Sequence, residues 1–84
     1  MYERIYKAMK EIYLLTEPEL NRYRKLANFT EDELKCFNMK AKNYSIVKIA
    51  MSIGVSESTV SRLVRSVKNK MLRLDELKEP LNED

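Results

Sequence analysis

The sequence predicts an all-α protein, a small helical bundle of about five helices that contains a helix-turn-helix. Apolar residues recur three or four positions apart along most of the chain, which is the spacing of one helix face. The 84 residues include only one glycine and two prolines. Each break in the apolar pattern coincides with a residue type that caps or ends helices. A chain of this length forms one modest core, so we expect residues 1–84 to make a single domain.

The first segment, residues 2 to about 15, is predicted to be an amphipathic helix with an aromatic-rich stripe. Tyrosine suits a partly solvated interface because its ring is apolar while its hydroxyl stays solvated. The stripe therefore either covers the rest of the bundle or pairs with the same stripe of a second subunit. The residues assigned to dimerisation are Tyr2, Ile5, Tyr6, Met9, Ile12 and Tyr13.

Two capping boxes predict the next two helices. Thr16 is followed three residues later by Glu19, which begins a helix over residues 17–27, and Pro18 fits its first turn. Thr30 and Glu33 repeat the pattern, and that helix ends at Asn43 because Asn tolerates positive φ. The side chains expected to be buried are Leu20, Tyr23, Leu26 and Ala27 in the first helix and Leu34, Phe37 and Ala41 in the second, with Cys36 half-buried.

The helix-turn-helix is predicted over residues 46–65. Ser45 caps its first helix, Gly54 supplies the positive φ of a tight turn, and Ser56 caps its second helix. The second helix is expected over 57–71, with Leu72 to Leu77 adding a turn or two before Pro80 ends it. Its apolar stripe is Val60, Leu63, Val64, Val67 and Met71. We therefore divide the chain into a helical extension (1–28), a core (29–74) and a frayed acidic tail (75–84).

Charge is concentrated in the helix-turn-helix region. Residues 35–73 contain nine basic side chains and one acidic side chain, although the whole chain has a net charge of only +3. The remaining residues on either side are net acidic. A basic block that coincides with helix-turn-helix spacing indicates a phosphate-binding surface, although a basic run alone is more often a solvated face.

Composition argues against several other classes of protein. The chain has no histidine and a single cysteine, so we expect no zinc site, no histidine-based catalytic triad and no internal disulfide. It also lacks a glycine-rich phosphate loop. We expect a non-enzymatic protein without metal or cofactor. The short apolar runs predict neither a membrane span nor a signal peptide, and hence a cytoplasmic location.

From Phe29 to Met71 the chain resembles the DNA-binding domain of LuxR-type regulators and, more distantly, region 4 of sigma-70 factors. The matching features are the Thr-Glu-x-Glu-Leu start, Ile-Ala, the Ile-Gly-Val-Ser turn, Ser-x-Thr-Val and the Lys-Met end. Asn43 and Lys48 depart from the family's usual Gly and Glu. The resemblance implies a stand-alone, four-helix unit of bacterial or phage type that binds DNA as a dimer and regulates transcription.

The resemblance also implies which residues read DNA. The family's base-reading positions fall on Ser61, Arg62 and Arg65, and arginine can bond guanine O6 and N7 in the major groove. Five further residues are better placed for phosphates, which fix the register without reading sequence. These are Lys48, Ser58, Thr59, Lys68 and Asn69.

The sequence thus predicts a sequence-specific regulator that binds double-stranded DNA, with helix 57–71 in the major groove and a homodimer as the assembly. Two other classes remain open. One is a DNA-binding subunit of phage packaging or recombination machinery, which would form a ring with weak sequence preference. The other is a protein-interaction module that contacts RNA polymerase, which the apolar pair Ile46 and Val47 motivates.

Overall fold

The computed structural model describes residues 11–83, with side chains described from 11 to 76. Within this range the chain forms a 3-10 turn and four α-helices, and no strand occurs. The predicted all-α bundle is confirmed, with four α-helices where about five were expected. The helices are α1 (Glu17–Leu26), α2 (Glu31–Ala41), α3 (Ile46–Ile53) and α4 (Glu57–Glu83). Tyr2, Ile5, Tyr6 and Met9 lie outside the described residues.

The segment before α1 differs from its prediction. Ile12–Leu14 is a 3-10 turn, and the residues on both sides, Glu11 and Leu15, have extended backbones. The expectation that an α-helix continues to about residue 15 is therefore wrong. Ile12 is 1% exposed and Leu15 is also buried. The extended backbones of Glu11 and Leu15 on either side of the turn let the Ile12 and Leu15 side chains enter the core, because an extended residue redirects the chain.

The predicted starts of α1 to α4 are confirmed. Thr16 and Thr30 each accept a hydrogen bond from the backbone N–H three residues later, and the glutamate there accepts one from the threonine backbone N–H. Ser45 Oγ accepts from the Lys48 backbone N–H at 3.1 Å. Ser56 Oγ accepts from the Thr59 backbone N–H, also at 3.1 Å. These caps satisfy backbone donors that a helix start leaves unpaired.

Left-handed residues separate the helices. Gly54 has φ of 73° and ends α3, as the sequence predicts. Asn43 has φ of 63° after α2, which is also as predicted, and Asn28 adopts φ of 60° after α1. Asn28 was not predicted, although asparagine is the most suitable residue after glycine for this conformation. Three sharp turns therefore pack four helices into a short chain.

The core consists of two adjoining apolar clusters. The first joins the N-terminal segment and α1 to the middle of α2 and α4, with Phe37 fully buried at its centre. The second holds the helix-turn-helix together. The buried members of the first are Ile12, Leu15, Leu20, Tyr23, Phe37, Val67 and Met71, and those of the second are Cys36, Ile49, Ala50 and Val60.

Leu20, Tyr23, Ala27 and Phe37 are buried as predicted, and Leu34 and Ala41 are only partly buried. Two further positions differ more clearly. Leu26 is 59% exposed, because α1 ends there and the chain turns away through Ala27, which takes the buried position instead. Cys36 is fully buried rather than half-buried, since it lies between α2 and the helix-turn-helix. Burial raises the pKa of the Cys36 thiol.

Helix α4 is longer than predicted. It continues through Pro80 to Glu83, so the expectations that Pro80 ends the helix near Glu79 and that residues 75–84 fray are wrong for the described backbone. Proline has a helical φ, and the chain can continue through it without the hydrogen bond that the missing N–H would donate. The 27 residues of α4 correspond to a rod of about 40 Å at 1.5 Å per residue.

A polar contact ties α1 to α4. The Tyr23 hydroxyl donates to Asp75 Oδ2 at 2.7 Å, and Arg22 Nη1 donates to Asp75 Oδ1 at 3.1 Å. Burial, together with the hydrogen bond to Asp75, raises the pKa of Tyr23 well above its usual range. Asp75 was assigned to the acidic tail, yet it contacts the first long helix of the domain.

Replacing Tyr23 with Phe is expected to lower the free energy of unfolding by about 1.5 kcal/mol, since a hydrogen bond to a charged acceptor is lost while Asp75 keeps Arg22. Urea denaturation measures the change. The raised tyrosine pKa also means that wild-type stability falls as pH rises above the ordinary tyrosine value of 10.0. The Tyr23→Phe variant should lose this part of the alkaline dependence, and an identical alkaline profile would contradict the assignment.

Candidate nucleic-acid interface

The helix-turn-helix is built by α3, the turn at Gly54 and the first half of α4. The backbone N–H groups of Gly54 and Val55 both donate to the Ala50 carbonyl, at 2.9 and 3.1 Å, and close the end of α3. Val60 on α4 is fully buried against Ile49 and Ala50. This packing fixes which face of α4 points away from the domain.

That outward face carries the residues predicted to contact DNA bases. Ser61, Arg62 and Arg65 are all exposed, and so are Ser58 and Asn69. We call the line Ser58, Arg62, Arg65 and Asn69 the α4 ridge. At about 100° per residue it lies opposite the buried Val60. The structure therefore brings the predicted base-reading residues together on one accessible surface.

The two arginines of the α4 ridge have no acidic partner among the described residues. A structural role for either one would have required an acid from a neighbouring helix. The nearby basic residue Lys70 differs, because its ammonium group contacts Glu33 Oε1 at 2.5 Å and the Asn28 carbonyl at 3.1 Å. Arg62 and Arg65 thus keep their full hydrogen-bonding capacity for a ligand, whereas Lys70 belongs to the fold.

Of the predicted phosphate-binding residues, Ser58 and Asn69 belong to the α4 ridge, and the other three lie outside it and differ in accessibility. Lys48 is exposed at the start of α3, and its Nζ lies 4.4 Å from the centre of the Tyr44 ring. Such a cation–π contact orients the ammonium group while leaving its charge unpaired. Lys68 is half-buried along α4. The Thr59 hydroxyl lies 3.0 Å from Ser56 Oγ and is already engaged in the helix cap.

On another face of α4, a buried carboxylate fixes α2 to α4. Glu33 is 6% exposed, and it accepts hydrogen bonds from the Thr30 backbone, from Lys70 and from the Ser66 hydroxyl. Desolvation by burial alone would raise the pKa of Glu33. The hydrogen bonds from Lys70, Ser66 and Thr30 outweigh it and lower the pKa to about 2. The sequence identified Glu33 only as a capping residue and missed its contact with α4.

A groove beside the α4 ridge was also missed. It has a volume of about 490 Å³ and combines apolar side chains with basic and polar ones. Its apolar residues are Ile46 of α3 and Val64 and Leu72 of α4, and no local sequence pattern relates positions so far apart. We call it the α4 groove, and its lining residues are Ile46, Ser61, Val64, Arg65, Lys68, Asn69 and Leu72.

The predicted dimerisation stripe is described only at its end. Ile12 lies in the core of its own chain and is not accessible to a partner, whereas Tyr13 is 42% exposed. The two residues therefore do not share an exposed stripe. The cause is the 3-10 turn, which replaces the α-helical spacing that the stripe assumes. The other four members of the stripe lie outside the described residues.

The described residues contain no cluster of three or more side chains suited to hold a metal ion. None of the helices described is both long enough and apolar enough to cross a membrane. The chain matches no protein-family model, no curated protein and no solved structure.

Proposed function

We propose that this protein is a sequence-specific regulator of transcription that binds double-stranded DNA through its helix-turn-helix. The observation that carries the proposal is the pair of exposed arginines, Arg62 and Arg65, on the outward face of α4 without an acidic partner in the described part of the chain. The first half of α4 would lie in the major groove. The resemblance to LuxR-type domains in the sequence supports the same interpretation.

The surrounding charges favour a nucleic-acid ligand. Nine basic residues and one acidic residue occupy positions 35–73, and phosphate contacts from lysine provide affinity that does not depend on sequence. Lys48 on α3 and Lys68 on α4 supply further cations, while Ser61 adds an exposed hydroxyl group next to Arg62 in the chain. Base reading by Ser61, Arg62 and Arg65 would then select the site. We further propose that the active form is a homodimer.

Replacing Arg62 or Arg65 with Ala is expected to remove about 1–3 kcal/mol of discrimination per residue, because each bidentate arginine–guanine pair is lost. The measurement is selection of bound sites from random duplex DNA, followed by affinities for the selected site and for a scrambled duplex. The variants should bind the scrambled duplex nearly as well as before and prefer the selected site less.

Two further variants provide controls for this experiment. Lys68→Ala should weaken binding to both duplexes and reduce the log–log salt slope by about one. Lys25→Ala removes the same charge from the exposed side of α1 and should leave both affinities nearly unchanged. If Arg62→Ala and Arg65→Ala weakened both duplexes equally, the base-reading assignment would be wrong.

One observation favours the protein-interaction alternative. Val47 and Met51, one turn apart on α3, are 50% and 79% exposed. Two exposed apolar side chains on one face are suited to a partner such as RNA polymerase. Failure to bind any duplex at low salt, with retained binding to polymerase, would favour this function. A ring-shaped oligomer with weak sequence preference would instead indicate packaging or recombination machinery.

A further inference from the structure

The α4 groove has the character of a binding surface for an acidic, partly apolar helix. Ile46, Val64 and Leu72 contribute apolar surface, and Arg65 and Lys68 contribute positive charge. Leu72 and Val64 are only partly buried by their own chain. An apolar groove flanked by one sign of charge selects a ligand with matching apolar groups and the opposite charge.

The continuation of α4 in the same chain has the acidic character that would match this groove. Before Leu72, the face of α4 that lines the groove is basic, with Arg65 and Lys68. After Leu72, the same helical register reaches Glu76, which is exposed, and then glutamate again at positions 79 and 83. At about 100° per residue, positions 61, 65, 68, 76, 79 and 83 all fall within about 40° of Leu72. The sign of the charge therefore reverses at one residue along one helical face.

We propose that the α4 groove binds α4 of a second copy of this chain, in antiparallel orientation, with the two-fold axis at Leu72. Positions whose numbers are equally far from 72 then face each other. Lys68 lies opposite the partner's Glu76, and Arg65 lies opposite position 79 of the partner. A two-fold axis repeats each contact, so each of these pairings occurs twice in the dimer.

The charges also determine the orientation of the pair. In a parallel arrangement, Lys68 would face Lys68 and Glu76 would face Glu76, and like charges in an interface are unfavourable. Only the antiparallel arrangement joins the basic half of each helix to the acidic half of the other. Leu72 then packs against its own copy at the axis, where the helix face is least charged.

This pairing would compete with DNA. Arg65 and Lys68 belong both to the α4 groove and to the proposed DNA-binding surface, so a partner helix in the groove covers them. The competition rests on the proposed function, whereas the pairing does not. The α4 pair is thus a DNA-free form, distinct from the homodimer that would bind an operator.

A charge-exchange experiment tests the pairing in the absence of DNA. Lys68→Glu and Glu76→Lys each place two like-charge contacts in the interface, so each should weaken dimerisation by roughly tenfold or more in sedimentation equilibrium. The double variant restores opposite charges and should dimerise nearly as well as wild type. The control is Asp32→Lys, at an exposed position of α2. It makes the same charge change as Glu76→Lys and should not weaken dimerisation.

Cross-linking provides a second measurement. A cysteine at Leu72, on the axis, should be joined to its own copy by a short bismaleimide, whereas a cysteine at Ser58 should not. Cys36 is buried and should not react in the folded chain. A wild-type chain that stays monomeric at every concentration, a double variant that fails to regain dimerisation, or single variants that dimerise like wild type would overturn the pairing.

The competition with DNA has its own readout. At concentrations where wild type dimerises, Glu76→Lys should bind duplex DNA more tightly than Asp32→Lys, although both carry the same net charge. Equal DNA affinities with an intact charge-exchange result would overturn the competition and leave the pairing in place. Absence of DNA binding by every variant would overturn the proposed function without affecting the sedimentation result.

Discussion

Replacing Phe37 with Ala is expected to lower the free energy of unfolding by about 3–5 kcal/mol, the largest stability effect of any single truncation we predict. Phe37 is fully buried in the larger core cluster. Its ring centre lies 5.0 Å from that of Phe29 and 6.4 Å from that of Tyr23, with the latter pair edge-to-face. The Arg24 guanidinium lies 5.8 Å from the same ring centre. Truncation therefore removes aromatic contacts and leaves a cavity.

Urea denaturation followed by circular dichroism measures this loss. Leu26→Ala is the matched control, because it also truncates an apolar helix residue but at a site that is 59% exposed, and it should change stability by about 0.5 kcal/mol or less. The free energy of unfolding of a small domain is only about 5–15 kcal/mol, so Phe37→Ala should also lower the thermal midpoint strongly. A loss below about 1 kcal/mol would contradict the core assignment.

Replacing Glu33 with Ala is expected to lower the free energy of unfolding by about 3 kcal/mol. Breaking a buried ion pair leaves the partner charge uncompensated, which costs roughly 3–5 kcal/mol, and the lower limit applies because the Lys70 side chain remains 27% exposed and can be solvated. The variant also removes the acceptor of the Ser66 hydroxyl. Chemical denaturation at neutral pH measures the effect.

Glu31→Ala is the control for this experiment. Glu31 forms an exposed pair with Lys35 one turn away on the same helix, at 3.9 Å, and exposed pairs contribute about 0–1 kcal/mol. Its removal should change stability by about 0.5 kcal/mol or less. Equal effects of Glu31→Ala and Glu33→Ala would show that burial does not strengthen the contact with Lys70.

The stability that Glu33 contributes should depend on pH. Its pKa falls from an ordinary 4.5 to about 2 on folding, so the unfolded chain binds its proton first as pH decreases. The contribution is complete above the unfolded value and is lost between about pH 4.5 and pH 2. The difference in stability between wild type and Glu33→Ala should narrow over that interval, and a constant difference would contradict the lowered pKa.

Local signals in the sequence predicted most of the helix boundaries. Capping boxes at Thr16 and Thr30, the serine caps and the left-handed Gly54 depend on neighbours three or four residues away, and the structure has each of them. Period-3.6 spacing likewise predicted that Val60, Val67 and Met71 are buried. These features could be predicted because their causes lie within one turn of helix.

The errors arose where distant residues decide the structure. Ile12 fits a helical stripe, yet it lies in a 3-10 turn and packs in the core cluster with residues of α2 and α4. Glu33 fits a capping box, yet its other oxygen binds Ser66, which is 33 residues away. The α4 groove combines Ile46 with Leu72, which no short window relates. The resemblance to LuxR-type domains implied the roles of Arg62 and Arg65, but their lack of acidic partners in the described range needed coordinates.

The contact of Glu33 with α4 has a mechanical consequence for the proposed DNA recognition. Ser66 and Lys70 are one turn apart on α4 and both bind the same buried carboxylate, so they resist rotation of the helix about its own axis. With side-chain tips about 6 Å from the axis, a rotation of roughly 20° would shift each tip by about 2 Å, which is enough to break an arginine–base hydrogen bond. Glu33 thus restricts rotation of α4 about its axis and sets the direction in which Arg62 and Arg65 point.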